Sequence, residues 1–230
     1  MVSYQPSYIF DVLPQLIQAL PLTLWILLMT IFLGSLLGLL LTWAQLSKEK
    51  GLAGLARGYI FLLRCTPPIV LLIMVFYGLP EFLNWWLGLD VNGWSRTVFV
   101  LLAMTLLFAA SISEVFKSAY LAVPKGQFEA GLSIGLTTSQ TLIRIICPQA
   151  LRFALPNISN AILNLLKDTA LAYTIGLADV MGTGNLIIGQ NMGNYSLETY
   201  TAVALIYWGL ALMLALVSQG MEAKYDKART

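Results

Sequence analysis

A long uncharged run, residues 20–46, constrains this chain more than any other feature of its sequence. It contains no Asp, Glu, Lys or Arg and exceeds the roughly 20 residues that an α-helix needs to cross a bilayer. Because lipid offers the backbone no hydrogen-bond partners, such runs form helices. The sequence predicts an all-α polytopic membrane protein, a single domain over residues 1–230, with about five spans: residues 20–46, 67–89, 97–120, 153–177 and 199–219.

Composition supports this environment and narrows the chemistry. Apolar residues make up 58% of the chain and charged residues 10%, whereas soluble domains carry about 25% charged residues. The net charge of +2 is too small to indicate a nucleic-acid-binding protein. The chain has no His, which disfavours a membrane-embedded enzyme or metal site. We interpret Cys65 and Cys147 as reduced side chains beside cytoplasmic loops.

Charge is distributed unequally between the two ends of the five predicted spans. The positive-inside rule places the basic side in the cytoplasm, with the N-terminus outside and the C-terminus inside. The basic residues on that side are Lys48, Lys50, Arg57, Lys117, Lys125, Arg144, Arg152, Lys224, Lys227 and Arg229. The opposite side carries Arg96 and the acidic residues Asp11, Glu81, Asp90, Asp179 and Glu198.

Three further features give weaker predictions. Gly34 and Gly38 form a G-x-x-x-G pair in the first span, a spacing that lets helix backbones approach closely. Residues 1–18 carry aromatic residues and two prolines, and we expect them to be peripheral, at the membrane interface. Residues 178–198 are Gly-rich and too polar to span, and we expect them outside with no assigned role.

The segment over residues 126–148 mixes charge, glycine and small polar residues between two apolar spans. It contains Glu129-Ala130-Gly131, then Gly135, then Ile-Ile-Cys-Pro ending at Pro148. This spacing resembles the EAA loop of bacterial ABC importer permeases, although Gly131 replaces an Ala and Cys147 replaces a Leu. We expect Gly131 to weaken the helix by up to ~1 kcal/mol relative to Ala, and Pro148 to end it by removing an N–H donor.

The resemblance implies a type I ABC importer permease fold in which a cytoplasmic coupling helix, within residues 121–152, docks on an ATPase. An ordinary linker is the alternative. The residues that the resemblance assigns to ATPase coupling are Gln127, Glu129, Ala130, Gly131, Gly135 and Pro148.

The fourth predicted span carries a polar stripe. Asn157, Asn160, Asn164 and Asp168 recur at the three-and-four spacing of one helix face. Polar residues inside a membrane usually face a cavity, a partner or a pathway. The run Lys167-Asp168-Thr169 resembles a signature of the polar amino acid uptake subfamily. We therefore expect six residues to contact the substrate pathway: Asn157, Asn160, Asn164, Lys167, Asp168 and Thr169. The alternative is hydrogen bonding between helices that only holds the bundle together.

For each of two charged residues near the cytoplasmic side, the sequence is consistent with two roles. Arg64 lies in Phe-Leu-Leu-Arg-Cys-Thr-Pro, which is similar to the entry into the second span of the same subfamily. It is either a gate residue or an interface anchor. Glu114, the only acid of the third span, is either a gate residue or the structural partner of Lys117, one turn further on.

The sequence therefore predicts the permease subunit of an ATP-driven importer of a polar amino acid. No nucleotide-binding G-x-x-x-x-G-K-[ST] motif occurs, so we expect no cofactor on this chain and ATP with Mg²⁺ on a separate ATPase. The other expected partners are a second permease subunit, identical or different, and an extracytoplasmic solute-binding protein. Cystine, glutamine, glutamate and basic amino acids remain candidates, with cystine preferred. The alternatives are an osmolyte importer and an ion-coupled secondary transporter.

Overall fold

The computed structural model describes residues 4–227, with only the backbone for residues 225–227. All of the regular secondary structure in this part of the chain is helical, without strands. The eight helices are α1 Ser7–Leu46, α2 Lys50–Cys65, α3 Pro68–Leu87, α4 Arg96–Ala122, α5 Lys125–Ser133, α6 Thr138–Ile175, α7 Val180–Gln190 and α8 Ser196–Lys227.

Four of these helices, α1, α3, α4 and α8, are long and apolar enough to cross a membrane. A fifth span is formed if α6 and α7, which meet at a bend of 42°, are counted together. The predicted all-α membrane fold is therefore confirmed. The second, third and fifth predicted spans agree with α3, α4 and α8 within a few residues at the N-terminal end.

The first helix begins well before the predicted span. Residues 1–18 were expected to be peripheral; residues 1–3 lie outside the described part of the chain, and α1 starts at Ser7 and continues through two internal prolines. Val12 and Leu16 are only 3% and 0% exposed, and they pack in a cluster with Val180 of α7 and Val203 of α8. The prediction was wrong here because burial of these two apolar residues, one turn apart, offsets the missing proline donors.

Helices α1 and α4 pack closely at Gly34 and Gly38 of α1. An ideal Cβ placed on Gly34 would lie 2.7 Å from Cδ1 of Phe108, and one on Gly38 would collide with Cγ2 of Ile112. The close approach predicted from G-x-x-x-G is therefore present. Thr42 strengthens the pair, since its hydroxyl donates to the Ser113 carbonyl at 3.0 Å across the interface.

The predicted cytoplasmic loop and the Gly-rich outside segment both contain more helix than expected. Residues 121–152 were predicted as a loop, but α6 begins at Thr138 and runs into the polar span. Pro148 does not end this helix. A wider π-helical turn, Leu142–Ile146, precedes it, and such turns accommodate a proline's missing hydrogen bond. Within residues 178–198, α7 forms a short apolar helix.

Candidate functional site

The polar stripe of α6 lines a cavity of about 390 Å³. Asn157, Asn160, Asn164 and Asp168 all contribute to its wall, which is completed by residues of α2 and α4. Each asparagine is exposed and Asp168 is half-buried. Four of the six predicted pathway residues thus share one cavity, because their spacing keeps them on one helix face.

The other two predicted pathway residues lie outside this cavity. Lys167 and Thr169 flank Asp168 in sequence, and each is rotated by about 100° from it around the helix. Lys167 is exposed on a neighbouring face. Thr169 is 1% exposed, and its hydroxyl donates to the Leu166 carbonyl at 2.7 Å. Thr169 therefore belongs to the packed interior of the bundle.

Arg64 lines the same cavity from the C-terminal end of α2. The cavity therefore contains one cationic and one anionic side chain, Arg64 and Asp168, together with three amides. The sequence does not predict that Arg64 lies beside the polar stripe, since the two are far apart in the chain. The site prediction also missed Thr66 and Ser111, which line the cavity. The Ser111 hydroxyl, at the start of the polar half of its span, was the available signal.

A tyrosine anchors the helix that carries Arg64. The hydroxyl of Tyr59 donates to the Leu106 carbonyl of α4 at 3.0 Å. Burial raises the pKa of Tyr59 to about 12, so the hydroxyl stays protonated and remains a donor at any physiological pH. This bond joins α2 to α4 roughly one helical turn before Arg64 and so helps to position its guanidinium group.

Glu114 forms the structural pair that was one of its two predicted readings. Its carboxylate lies 3.6 Å from Nζ of Lys117, and the same ammonium group donates to Oε1 of Gln45 on α1 at 2.7 Å. Glu114 lines a second cavity together with Arg64. The described geometry thus links Glu114 to Lys117 and places Arg64 between two cavities.

Helix α5 presents the EAA-like residues at the surface. Gln127, Glu129 and Ala130 are exposed, and the apolar side chain of Ile134 is exposed immediately after the helix. Gln127 is held by Gln149 of α6, whose amide donates to it at 3.2 Å. A small exposed side chain beside a charged one suits close docking of another protein.

The two glycines of this motif have different structural roles. Gly131 is buried, and an ideal Cβ on it would lie 2.6 Å from Cγ2 of Thr141. Gly135 has a φ of +86°, which residues with a side chain rarely adopt. The backbone N–H of Leu136 donates to the Gly131 carbonyl at 3.1 Å and closes the helix end. Gly131 thus permits α5 to pack against α6, and Gly135 permits the turn between the two helices.

Comparison with known proteins gives a consistent result. Residues 31–227 match the family model described as binding-protein-dependent transport system inner membrane component. The chain is 36% identical to the L-cystine transport system permease protein TcyL of Bacillus subtilis (strain 168), over 99% of this chain and 94% of that protein. It is 34% identical to the probable amino-acid ABC transporter permease protein PatM of Vibrio harveyi, over 96% of both chains.

A solved structure supports the same assignment. The crystal structure of an amino acid ABC transporter with histidines contains a chain that aligns with a TM-score of 0.84 and 25% identity. The alignment covers 97% of this chain and 100% of that one.

Proposed function

Because the chain belongs to the family of binding-protein-dependent transport system inner membrane components, and is an ABC importer permease for amino acids, we propose that it forms half of an ATP-driven pathway into the cytoplasm. The cavity between α2, α4 and α6 is the substrate site in this proposal. The residues that contact substrate there are Arg64, Asn157, Asn160, Asn164 and Asp168.

One observation carries the substrate assignment: opposite charges and three amides line a single cavity. A free amino acid is a zwitterion, with a carboxylate that fits an Arg guanidinium and an ammonium group that fits a carboxylate. The asparagines can donate and accept, and so can bind a polar side chain. A volume of about 390 Å³ lies within the usual range for small-molecule sites, about 300–1,000 Å³.

Cystine is the preferred substrate within this class. TcyL, a permease of an L-cystine transport system, is similar along almost the whole chain, and the sequence alone had favoured cystine. Cystine carries an ammonium and a carboxylate at each end, so the additional amides of α6 have groups to bind. The identity of 36% to TcyL ranks cystine above glutamine and arginine as the substrate.

Energy reaches this site through α5. The exposed Glu129 and Ala130 contact a separate ATPase, which holds the ATP and Mg²⁺, and this chain binds no cofactor itself. Closure of two ATPase subunits pulls α5, and α6 transmits the motion because it contacts α5 at one end and lines the cavity further along. Transport is then alternating access, and no reaction occurs on the substrate.

The proposed pathway requires two further partners. Five spans are few for enclosing a substrate route, so a second permease subunit, identical or different, completes it around a two-fold axis. An extracytoplasmic solute-binding protein delivers substrate to the outside face. The positive-inside rule places α5 and the C-terminus in the cytoplasm and the N-terminus outside.

The decisive experiment is uptake into proteoliposomes that contain the subunit, its cognate ATPase and its solute-binding protein, with labelled cystine, glutamine and arginine compared. Asp168→Asn and Asn160→Ala should reduce uptake about tenfold or more, as expected for loss of a hydrogen bond to a charged group. Ser159→Ala is the matched control, because Ser159 lies next to Asn160 and its hydroxyl donates to the Leu155 carbonyl at 2.9 Å.

Two results would contradict the proposal. Unchanged uptake by Asp168→Asn would show that the cavity is not the substrate site. Uptake without the ATPase, driven by a proton gradient, would replace the ABC mechanism with the ion-coupled alternative. A preference for glutamine or arginine would change the substrate ranking but leave the class intact.

A further inference from the structure

A second cavity, of about 430 Å³, lies at the end of the bundle formed by the C-terminal ends of α1 and α4 and by α2. Its polar lining consists of Gln45, Arg57, Arg64, Glu114 and Lys117, and Phe61 forms part of its apolar lining. It has no part in the transport mechanism proposed above, apart from sharing Arg64 with the substrate cavity.

The charges around this second cavity are unbalanced. Three cationic side chains line it and only one anionic side chain does. Lys117 is paired with Glu114 at 3.6 Å, which leaves Arg57 and Arg64. Within the part of the chain that the structure describes, neither guanidinium has a carboxylate within 4 Å. The site therefore has a surplus of positive charge that an anion would neutralise.

Unused hydrogen-bond donors accompany this charge. Nε of Arg57 donates to the Ala53 carbonyl at 3.0 Å, so its two terminal NH₂ groups remain available. Gln45 is 8% exposed, and its Nε2 has no hydrogen-bond partner among the described residues. A buried amide donor without a partner is costly, and an acceptor in the cavity would remove that cost. Several donors converging on one space are what a phosphate requires.

The surroundings of the cavity indicate where the phosphate comes from. Helix α2 is amphipathic: one face packs on the bundle, while Leu55, Phe61 and Leu62 are 76%, 73% and 62% exposed. In a membrane protein, such a face lies against acyl chains. Phe61 belongs to this face and also lines the cavity. Basic pockets between helices on the cytoplasmic side bind anionic lipid headgroups, and the orientation proposed above puts this cavity on that side.

We propose that this cavity, with Arg57 as its principal ligand, binds the headgroup phosphate of an anionic phospholipid of the inner leaflet. The terminal NH₂ groups of Arg57 contact the phosphate oxygens, Gln45 donates through Nε2, and the acyl chains lie along Leu55, Phe61 and Leu62.

The test is native mass spectrometry of the intact transporter complex, titrated with phosphatidylglycerol or phosphatidylcholine. We expect phosphatidylglycerol to be retained selectively. Arg57→Gln should lower its affinity about tenfold, the loss expected for a charge-assisted hydrogen bond, and Arg57→Lys should lose less. Arg152→Gln is the matched control, because Arg152 is also exposed on the predicted cytoplasmic side but lies outside the cavity. It should stay within about twofold.

Arg57 is the residue to change because Arg64 also lines the substrate cavity. Co-purification of the ATPase with each variant checks that the subunit is folded. Equal losses in Arg57→Gln and Arg152→Gln would show general surface attraction and overturn the site. Displacement of phosphatidylglycerol by millimolar inorganic phosphate would overturn the lipid as its ligand and assign the site to a soluble anion.

Discussion

Gly131 of α5 and Thr141 of α6 pack against each other: an ideal Cβ on Gly131 would lie 2.6 Å from Cγ2 and 2.9 Å from Oγ1 of Thr141. Thr141 is fully buried, and its branched side chain has little rotamer freedom. From the sequence, Gly131 was expected only to weaken α5. In the structure, it is the residue that lets α5 lie this close to α6.

Gly131→Ala should therefore destabilise the contact between α5 and α6, by about 1–3 kcal/mol for an overpacked site, despite the better helix propensity of Ala. Thermal unfolding of the purified subunit and coupled ATP hydrolysis in the reconstituted complex both measure the effect. Gly126→Ala is the control on the same helix, since no heavy atom of the described chain lies within 4 Å of its ideal Cβ. The double variant Gly131→Ala with Thr141→Ala should recover most of the loss; if it does not, the steric explanation is wrong.

Gly135 is required for its backbone conformation. Its φ of +86° costs a residue with a Cβ roughly 1–2 kcal/mol, so Gly135→Ala should reduce coupled transport. Gly135→Asn should retain more activity, because Asn tolerates the left-handed region better. Uptake rates of the two variants in proteoliposomes provide the comparison. Equal rates in Gly135→Ala and the unmodified subunit would contradict this assignment.

Charge reversal on the exposed surface of α5 tests the coupling role. Glu129→Lys on α5, and also Gly135→Glu just after it, should abolish uptake while the subunit still inserts into the membrane, because both alter the surface proposed to contact the ATPase. Uptake and the amount of subunit in the membrane fraction are measured together. Glu49→Lys, an exposed reversal outside α5, should have little effect. Persistent transport in both Glu129→Lys and Gly135→Glu would refute the coupling role.

Asp179 begins α7 as its N-cap. The carboxylate oxygen Oδ1 accepts a hydrogen bond from the Gly182 backbone N–H at 2.8 Å, and Asp179 is buried. Asp179→Ala should lower the free energy of unfolding by about 0.5–2 kcal/mol, the usual cost of losing a cap, whereas Asp179→Asn should keep most of it. Thermal unfolding is the measurement, with Asp90→Ala in an exposed turn as control. Equal losses for Asp179→Asn and Asp179→Ala would show that the negative charge, not the capping hydrogen bond, matters.

Gly182 shows how that cap constrains its neighbours. A Cβ on Gly182 would collide with the Leu177 carbonyl, so the turn between α6 and α7 closes only with glycine there. From the sequence, this glycine was one of several in a segment with no assigned role. Its contact partner lies only five residues away in the chain, and the bend of 42° that brings them together follows Gly176, which ends α6 with a φ of +76°.

Two errors have the same origin. Pro148 was expected to end a helix, and residues 1–18 were expected to be peripheral, because both predictions used local preference alone. In the structure, a π-helical turn accommodates Pro148, and contacts with Val180 and Val203 bury the start of α1. The local cost was offset by a change in helix geometry at Pro148 and by tertiary packing at the start of α1.

The amino-acid order was sufficient for the spans and for the polar face of α6, because the requirement for apolar side chains in lipid and the helical repeat both act within a few turns of chain. Which distant side chains meet was decided only by folding. Arg64 reaches the cavity of Asp168, and Thr141 reaches Gly131, through the packing of separate helices. Such contacts depend on how the helices pack in three dimensions, and no local pattern in the sequence records them.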